Sequence, residues 1–177
     1  LPRGWSVATA MPSAAGRHRY LCAEYAELVD HPVEMGPLWR GQFKLRGVPH
    51  ELVVAGAWPS FDADRLLHEV QRICATQMAF WHGPRGKPPM PRYVFMLNSV
   101  EEGYGGLEHR ASTALISARR HLPRRGVANA GDGHVALLGL ISHEYFHTWN
   151  VKRLKPREFE AIDFSRENYT QLLWFFE

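Results

Sequence analysis

His143-Glu144-Tyr145-Phe146-His147 sets two imidazoles four residues apart with a carboxylate beside the first. On a helix that spacing aims both rings at one point, where a single zinc ion can sit. Glu144 is then placed to handle the proton of a zinc-activated water. Catalytic zinc usually takes a third protein ligand and keeps a fourth position open. Glu177 fits that need: it lies 30 residues beyond His147, far enough for a loop and a returning helix to bring its carboxylate alongside. The competing reading is a structural pair of histidines on a buried helix, with Glu177 merely closing an amphipathic stripe. Glu144 weighs against it, because an unpaired carboxylate inside an apolar helix is costly.

The motif needs a helix to carry it. Residues 133–149 supply one, apolar nearly all round through Val135, Leu137, Leu138, Leu140, Ile141, Tyr145, Phe146 and Trp149, with Asp132 as its expected N-cap. Ala136 and Gly139, on the line through the two histidines, leave room for another segment to approach closely. A second helix runs from a cap at Asp62 to about Trp81, with Leu66, Leu67, Val70, Ile73, Cys74, Met78 and Trp81 forming one core-facing stripe. A third is expected after Ser165, where Tyr169, Leu172, Leu173 and Phe176 recur at helical steps.

Strands are expected at 42–46 and 51–56, joined by a turn at 47–49, and again at 92–98 and 111–116. The stretch Gly103–Gly106 is a glycine-rich approach to Leu107-Glu108-His109. On its residues alone it reads as a turn with an exposed Glu. His109 and His134 read as satisfied structural histidines. The breaker-rich segment Asp30–Pro37 marks a soft boundary.

A length of 177 residues fits one domain, or one domain with a piece of another, and 45% apolar with 22% charged residues fits an ordinary globular chain. No run of about 18 apolar residues exists, so no membrane span is expected. The chain starts Leu1-Pro2-Arg3-Gly4-Trp5, which reads as the interior of a longer protein. Its net charge of +3 is concentrated in Arg119-Arg120 with Arg124-Arg125, and in Lys152-Arg153 with Lys155 and Arg157. With no nucleic-acid motif beside them these read as solvated loop faces, and no nucleic-acid partner is expected. Cys22 and Cys74 have no disulfide or metal-knuckle spacing. As free thiols they favour a reducing, cytoplasmic setting.

The stretches HEYFHTWNVKRLKP and DFSRENYTQLLWFFE together resemble the glycyl aminopeptidase family of zinc peptidases, a thermolysin-like (gluzincin) group. Thr148–Arg153 and Arg166–Thr170 make the match specific. Leu28-Val29-Asp30, Pro32-Val33-Glu34 and Gly105–His109 extend it more weakly upstream. The resemblance implies an α+β fold: a thermolysin-like catalytic core with a β-sheet lobe, the HExxH helix, a Glu-bearing helix and an incomplete helical lobe. Residues 1–30 would be the tail of an amino-terminal β-rich domain and 31–177 a partial peptidase domain. An oxyanion-stabilising residue would lie past residue 177.

Residue by residue, the resemblance implies that His143, His147 and Glu177 are the ligands of one zinc ion and Glu144 the general base. Gly105, Gly106 and Glu108 would hold the free α-amino group of a peptide, glycines permitting close backbone approach and the carboxylate meeting the ammonium. The implied activity is removal of small amino-terminal residues, glycine or alanine, from peptides. The alternatives are a zinc endopeptidase using the same site, and a non-catalytic peptide-binding fragment.

Overall fold

A mixed five-stranded sheet carries the candidate site. The computed structural model describes residues 1–129, 131–163 and 165–176. In chain order its elements are β1 (Ser6–Ala8), α1 (Tyr25–Val29), β2 (Glu34–Gly36), β3 (Leu38–Leu45), β4 (Val48–Ala55), α2 (Ala63–His82), β5 (Tyr93–Val100), β6 (Tyr104–Glu108), β7 (Ser112–Ala118), α3 (Asp132–Phe146) and α4 (Leu173–Phe176). The sheet order is β3-β4-β5-β7-β6. Its centre, β4-β5-β7, is parallel, and both edges, β3 and β6, are antiparallel. A separate two-stranded ribbon pairs β1 with β2. The architecture is α+β.

Side chains alternate across the sheet, as extended backbone requires. His50, Leu52 and Val54 of β4 and Tyr93, Phe95 and Leu97 of β5 pack with Leu66, Val70, Cys74 and Met78 of α2 and Leu137, Leu140, Ile141 and Tyr145 of α3. On the opposite face Val53, Val94 and Met96 meet Ala8 and Ala10. The β1–β2 ribbon thus covers one side of the sheet and the helices the other. Burying β5 on both faces explains why its sequence is continuously apolar rather than alternating.

Several expectations are met in place. Asp62 caps α2, its Oδ1 accepting the Arg65 N–H at 3.2 Å. The strands at 92–98 and 111–116 are β5 and β7. The hairpin turn differs: it is Arg46-Gly47, at φ 48° and 83°, the two left-handed residues that a tight hairpin demands. Pro49 lies inside β4, opposite Lys44 and before the pairing with β5 begins at His50, so its missing N–H interrupts no central ladder. Helix α3 begins at Asp132 with Gly131 as the cap residue, so Asp132 is not its N-cap.

The expected helix after Ser165 is corrected: only Leu173–Phe176 is helical. Local side-chain bonds hold the preceding backbone instead. Asp163 Oδ1 accepts from Ser165 N–H at 3.0 Å, Asn168 Nδ2 donates to Asp163 O at 2.9 Å, and Thr170 Oγ1 accepts from Leu172 N–H at 3.2 Å. Such bonds compete with helix formation. Among the described residues no helix is long and apolar enough to cross a membrane.

His50 is buried in the core with both ring nitrogens used. Nδ1–H donates to Val48 O at 3.0 Å and Nε2 accepts from Tyr145 OH at 2.9 Å. Burial lowers its pKa to about 4. The folded chain therefore keeps His50 neutral where an unfolded chain, titrating near its usual value of about 6.5, has taken up a proton. The stability gained by keeping it neutral is complete above that value and is lost as pH falls toward the folded pKa. Denaturant unfolding should show about 2 kcal/mol less stability at pH 5 than at pH 7 from this group. His50→Gln should remove that portion of the slope; an unchanged pH dependence in the variant would contradict the assignment.

Candidate functional site

The last turn of α3 ends at His147, which keeps right-handed helical geometry at φ −61° and ψ −16°. His143 and His147 therefore share a face. Their Nε2 atoms lie 2.9 Å apart, and the ring planes cross at 88°. His147 is 4% exposed and its Nδ1–H donates to the Asn150 carbonyl at 3.0 Å. That bond puts the proton on Nδ1 and leaves the Nε2 lone pair directed at His143.

Two ring nitrogens converging this closely, one with its lone pair fixed, suit a shared cation of the imidazole-binding kind. Among the described residues no group of three His, Cys, Asp or Glu gathers around one point. Glu177 lies outside the described residues. Phe176 before it is buried, and its carbonyl accepts from Asn150 Nδ2 at 3.5 Å. The same asparagine that orients His147 thus seats the residue next to Glu177.

Helix α3 is anchored just before the first histidine. Gln77 of α2 donates through Nε2 to Ser142 O at 2.7 Å and to Ser142 Oγ at 2.9 Å. Strand β6 crosses the other side of α3, where the small residues left room: Tyr104 OH donates to Ala136 O at 3.4 Å. The stretch that reads as a turn with an exposed Glu is instead strand β6, one of the two edges of the sheet, and its Glu108 is only partly exposed.

Glu144 is 4% exposed. Its carboxylate lies against the β6 backbone, so that a Cβ on Gly106 would overlap Oε1, Cδ and Cγ of Glu144. Gly106 is a glycine because this carboxylate occupies the space of a side chain. By strand alternation Tyr104, Gly106 and Glu108 share the α3-facing side of β6, and Gly105 and Leu107 point the other way. Glu108 therefore comes to the same side of the strand as Glu144.

Glu108 Oε1 is 3.5 Å from Lys152 Nζ, which is also 3.8 Å from Asp30 Oδ1. A cavity of about 1280 Å³ opens beside them, with Asp30, Glu108, His109, Lys152 and Phe176 among its walls. His109 is buried and its Nδ1 has no hydrogen-bond partner among the described residues. Burial lowers its pKa. His134, in contrast, is satisfied as expected: Nε2 meets Glu69 Oε2 at 2.8 Å and Nδ1 meets His121 O at 3.1 Å.

Sequence reasoning gave no part to Gln77, Asn150, Lys152 or Asp30. Asn150 and Lys152 stand in the run that follows the histidines, but Asn150 orients His147 through its backbone carbonyl, which no side-chain pattern announces. The basic clusters are largely engaged. Arg120 forms two bonds to the Glu102 carboxylate, Arg119 donates to Ser99 O at 3.2 Å, and Arg124 stacks over Trp58 at 4.2 Å.

Sheet, helices and site together define an α+β chain of an aminopeptidase-family fold. The family model for the M61 glycyl aminopeptidase matches residues 136–177, and that for the peptidase M61 N-terminal domain matches residues 1–37. The crystal structure of an aminopeptidase N family protein from Idiomarina loihiensis matches with a TM-score of 0.90 at 36% identity, over 98% of this chain and 29% of that one. Aminopeptidase A of Legionella pneumophila in complex with aspartic acid matches with a TM-score of 0.46 at 17% identity, over 68% of this chain and 14% of that one. None of the curated proteins matches. The chain belongs to the M61 glycyl aminopeptidase family and spans less than a third of the Idiomarina protein.

The contact between β6 and α3 yields a direct comparison. Gly106→Ala should cost about 1–3 kcal/mol in denaturant unfolding, as overpacking against a buried carboxylate does. Gly105→Ala, whose Cβ would meet only Ile116 Cγ2 at 3.8 Å among the described residues, should stay within about 0.5 kcal/mol of the parent. Equal effects at the two positions would contradict the placement of Glu144.

Proposed function

We propose that this chain carries the metal-binding and amine-anchoring elements of a zinc aminopeptidase with a thermolysin-like catalytic core. The observation that carries this is the 2.9 Å convergence of the His143 and His147 Nε2 atoms, with the His147 lone pair oriented by Asn150. His143 and His147 would hold zinc together with the carboxylate of Glu177. Bound zinc supplies Lewis acidity, acidifying water and polarising a scissile carbonyl.

The protein residues divide the remaining work. Glu144, buried beside His143, accepts a proton on its carboxylate from the attacking water and delivers it to the leaving amine. Its position against Gly106 restricts its rotamers and keeps the carboxylate on the side of α3 that faces β6. Glu108 receives the ammonium of the peptide's first residue, and the outer edge of β6 offers backbone groups to an extended substrate. With its amine fixed there, a peptide presents its first bond to the histidine pair. The matched family is described as a glycyl aminopeptidase, and we take small first residues, glycine or alanine, as the substrates.

Metal analysis and turnover test the proposal together. The purified chain should hold about one zinc, His143→Ala and Glu177→Gln should each lose most of it, and Glu144→Gln should keep the metal while lowering turnover by about 10²–10⁴-fold. Glu108→Gln should impair hydrolysis of free-amine peptides and spare amino-blocked ones. A chain without affinity for zinc, or a Glu144→Gln variant as active as the parent, would sink the proposal. Indifference to Glu108→Gln would instead favour an endopeptidase built on the same metal site.

A further inference from the structure

Lys152 has no part in metal binding or proton transfer, yet its ammonium sits between two carboxylates, 3.5 Å from Glu108 and 3.8 Å from Asp30. The three side chains are 24%, 20% and 17% exposed respectively, so water screens the group only in part. The backbone around them is fixed as well. Arg110, two residues after Glu108, donates its N–H to Asp30 Oδ2 at 2.9 Å, and Arg153 reaches Arg110 O at 3.2 Å.

Lys152 also hangs from the candidate metal site. Its N–H donates to the His147 carbonyl at 3.1 Å, so ammonium and imidazole belong to one turn. That turn is strained: Val151, a β-branched residue, sits at φ 98°. Two short backbone bonds hold it there, Val151 N–H to Leu154 O at 2.7 Å and Leu154 N–H to Trp149 O at 2.7 Å.

We propose that Lys152 is the positioning residue of Glu108, holding one carboxylate oxygen so that the other is presented to the ammonium of a peptide's first residue. This rests on the reading of Glu108 as the amine anchor. A carboxylate at the end of an edge strand otherwise has several rotamers to choose from. Asp30 shares the Lys152 charge, so Glu108 is oriented without being neutralised by a dedicated partner. Remove the ammonium, and Asp30 and Glu108 are left as neighbouring like charges whose repulsion turns Glu108 away. Because Lys152 and His147 share the strained turn, the span from amine anchor to histidine pair is set by a rigid piece of backbone. A fixed span limits attack to the first peptide bond.

The test compares two ligands on the zinc-loaded chain by calorimetry, glycine hydroxamate and acetohydroxamate. They share the metal-binding group and differ in the ammonium. The ratio of their affinities reads the amine anchor alone. The wild type should prefer glycine hydroxamate. Lys152→Met, which keeps the stem and removes the charge, should cut that preference about tenfold while acetohydroxamate binds as before. Lys152→Arg should restore most of it. Undiminished preference in Lys152→Met, or equal loss of both affinities, overturns the positioning role and leaves Glu108 as anchor. A wild type without preference, or one that binds neither ligand, overturns the anchor reading and this inference with it.

Discussion

The constraint on which the site depends is the seating of a buried carboxylate on bare backbone. Glu144 occupies the volume a side chain at position 106 would fill, and this lets β6 lie directly against α3. Apart from this contact and the Tyr104–Ala136 hydrogen bond, each element is held by other parts of the fold. β6 is registered on β7, Gly106 opposite Leu115, and α3 is pressed onto the parallel strands by Leu137, Ile141 and Tyr145. Their close approach brings the face of β6 that bears Glu108 to the side of α3 that bears Glu144, and it requires a glycine at one position.

Around that contact the polar groups are organised by backbone as much as by side chains. The Asn150 carbonyl orients His147, Ser142 ties the helix to Gln77, and the strained turn at Val151 sends Lys152 back toward Glu108. Strain of this kind persists only where surrounding bonds over-determine it, and two 2.7 Å backbone bonds do so here. The apolar core supplies the rigidity: α2 and α3 both pack on β4 and β5, so the histidine pair rides on the best-buried part of the molecule.

How much of this was legible in the sequence follows from the range of each interaction. Helix α2, strand β5 and the histidine pair are short-range patterns, visible as periodicity and spacing. GGLEH misreads as a turn because its extended form comes from pairing with β7 and from the Glu144 contact, neither of which is local. The same holds for Lys152, whose partners Glu108 and Asp30 are distant in sequence, and for Gln77 with Ser142. At the C-terminal end the helical stripe of Tyr169, Leu172, Leu173 and Phe176 misled. Asp163, Asn168 and Thr170 bond to nearby backbone, and a repeat of apolar residues does not outweigh that competition.

The most direct measurement of the central claim is zinc-edge anomalous diffraction from a crystal of the chain grown with zinc. The account predicts one strong peak bonded to the Nε2 atoms of His143 and His147 at about 2.0–2.1 Å, with the Glu177 carboxylate completing the set. A peak elsewhere on the molecule, or one at the histidines with the glutamate turned away, would contradict it.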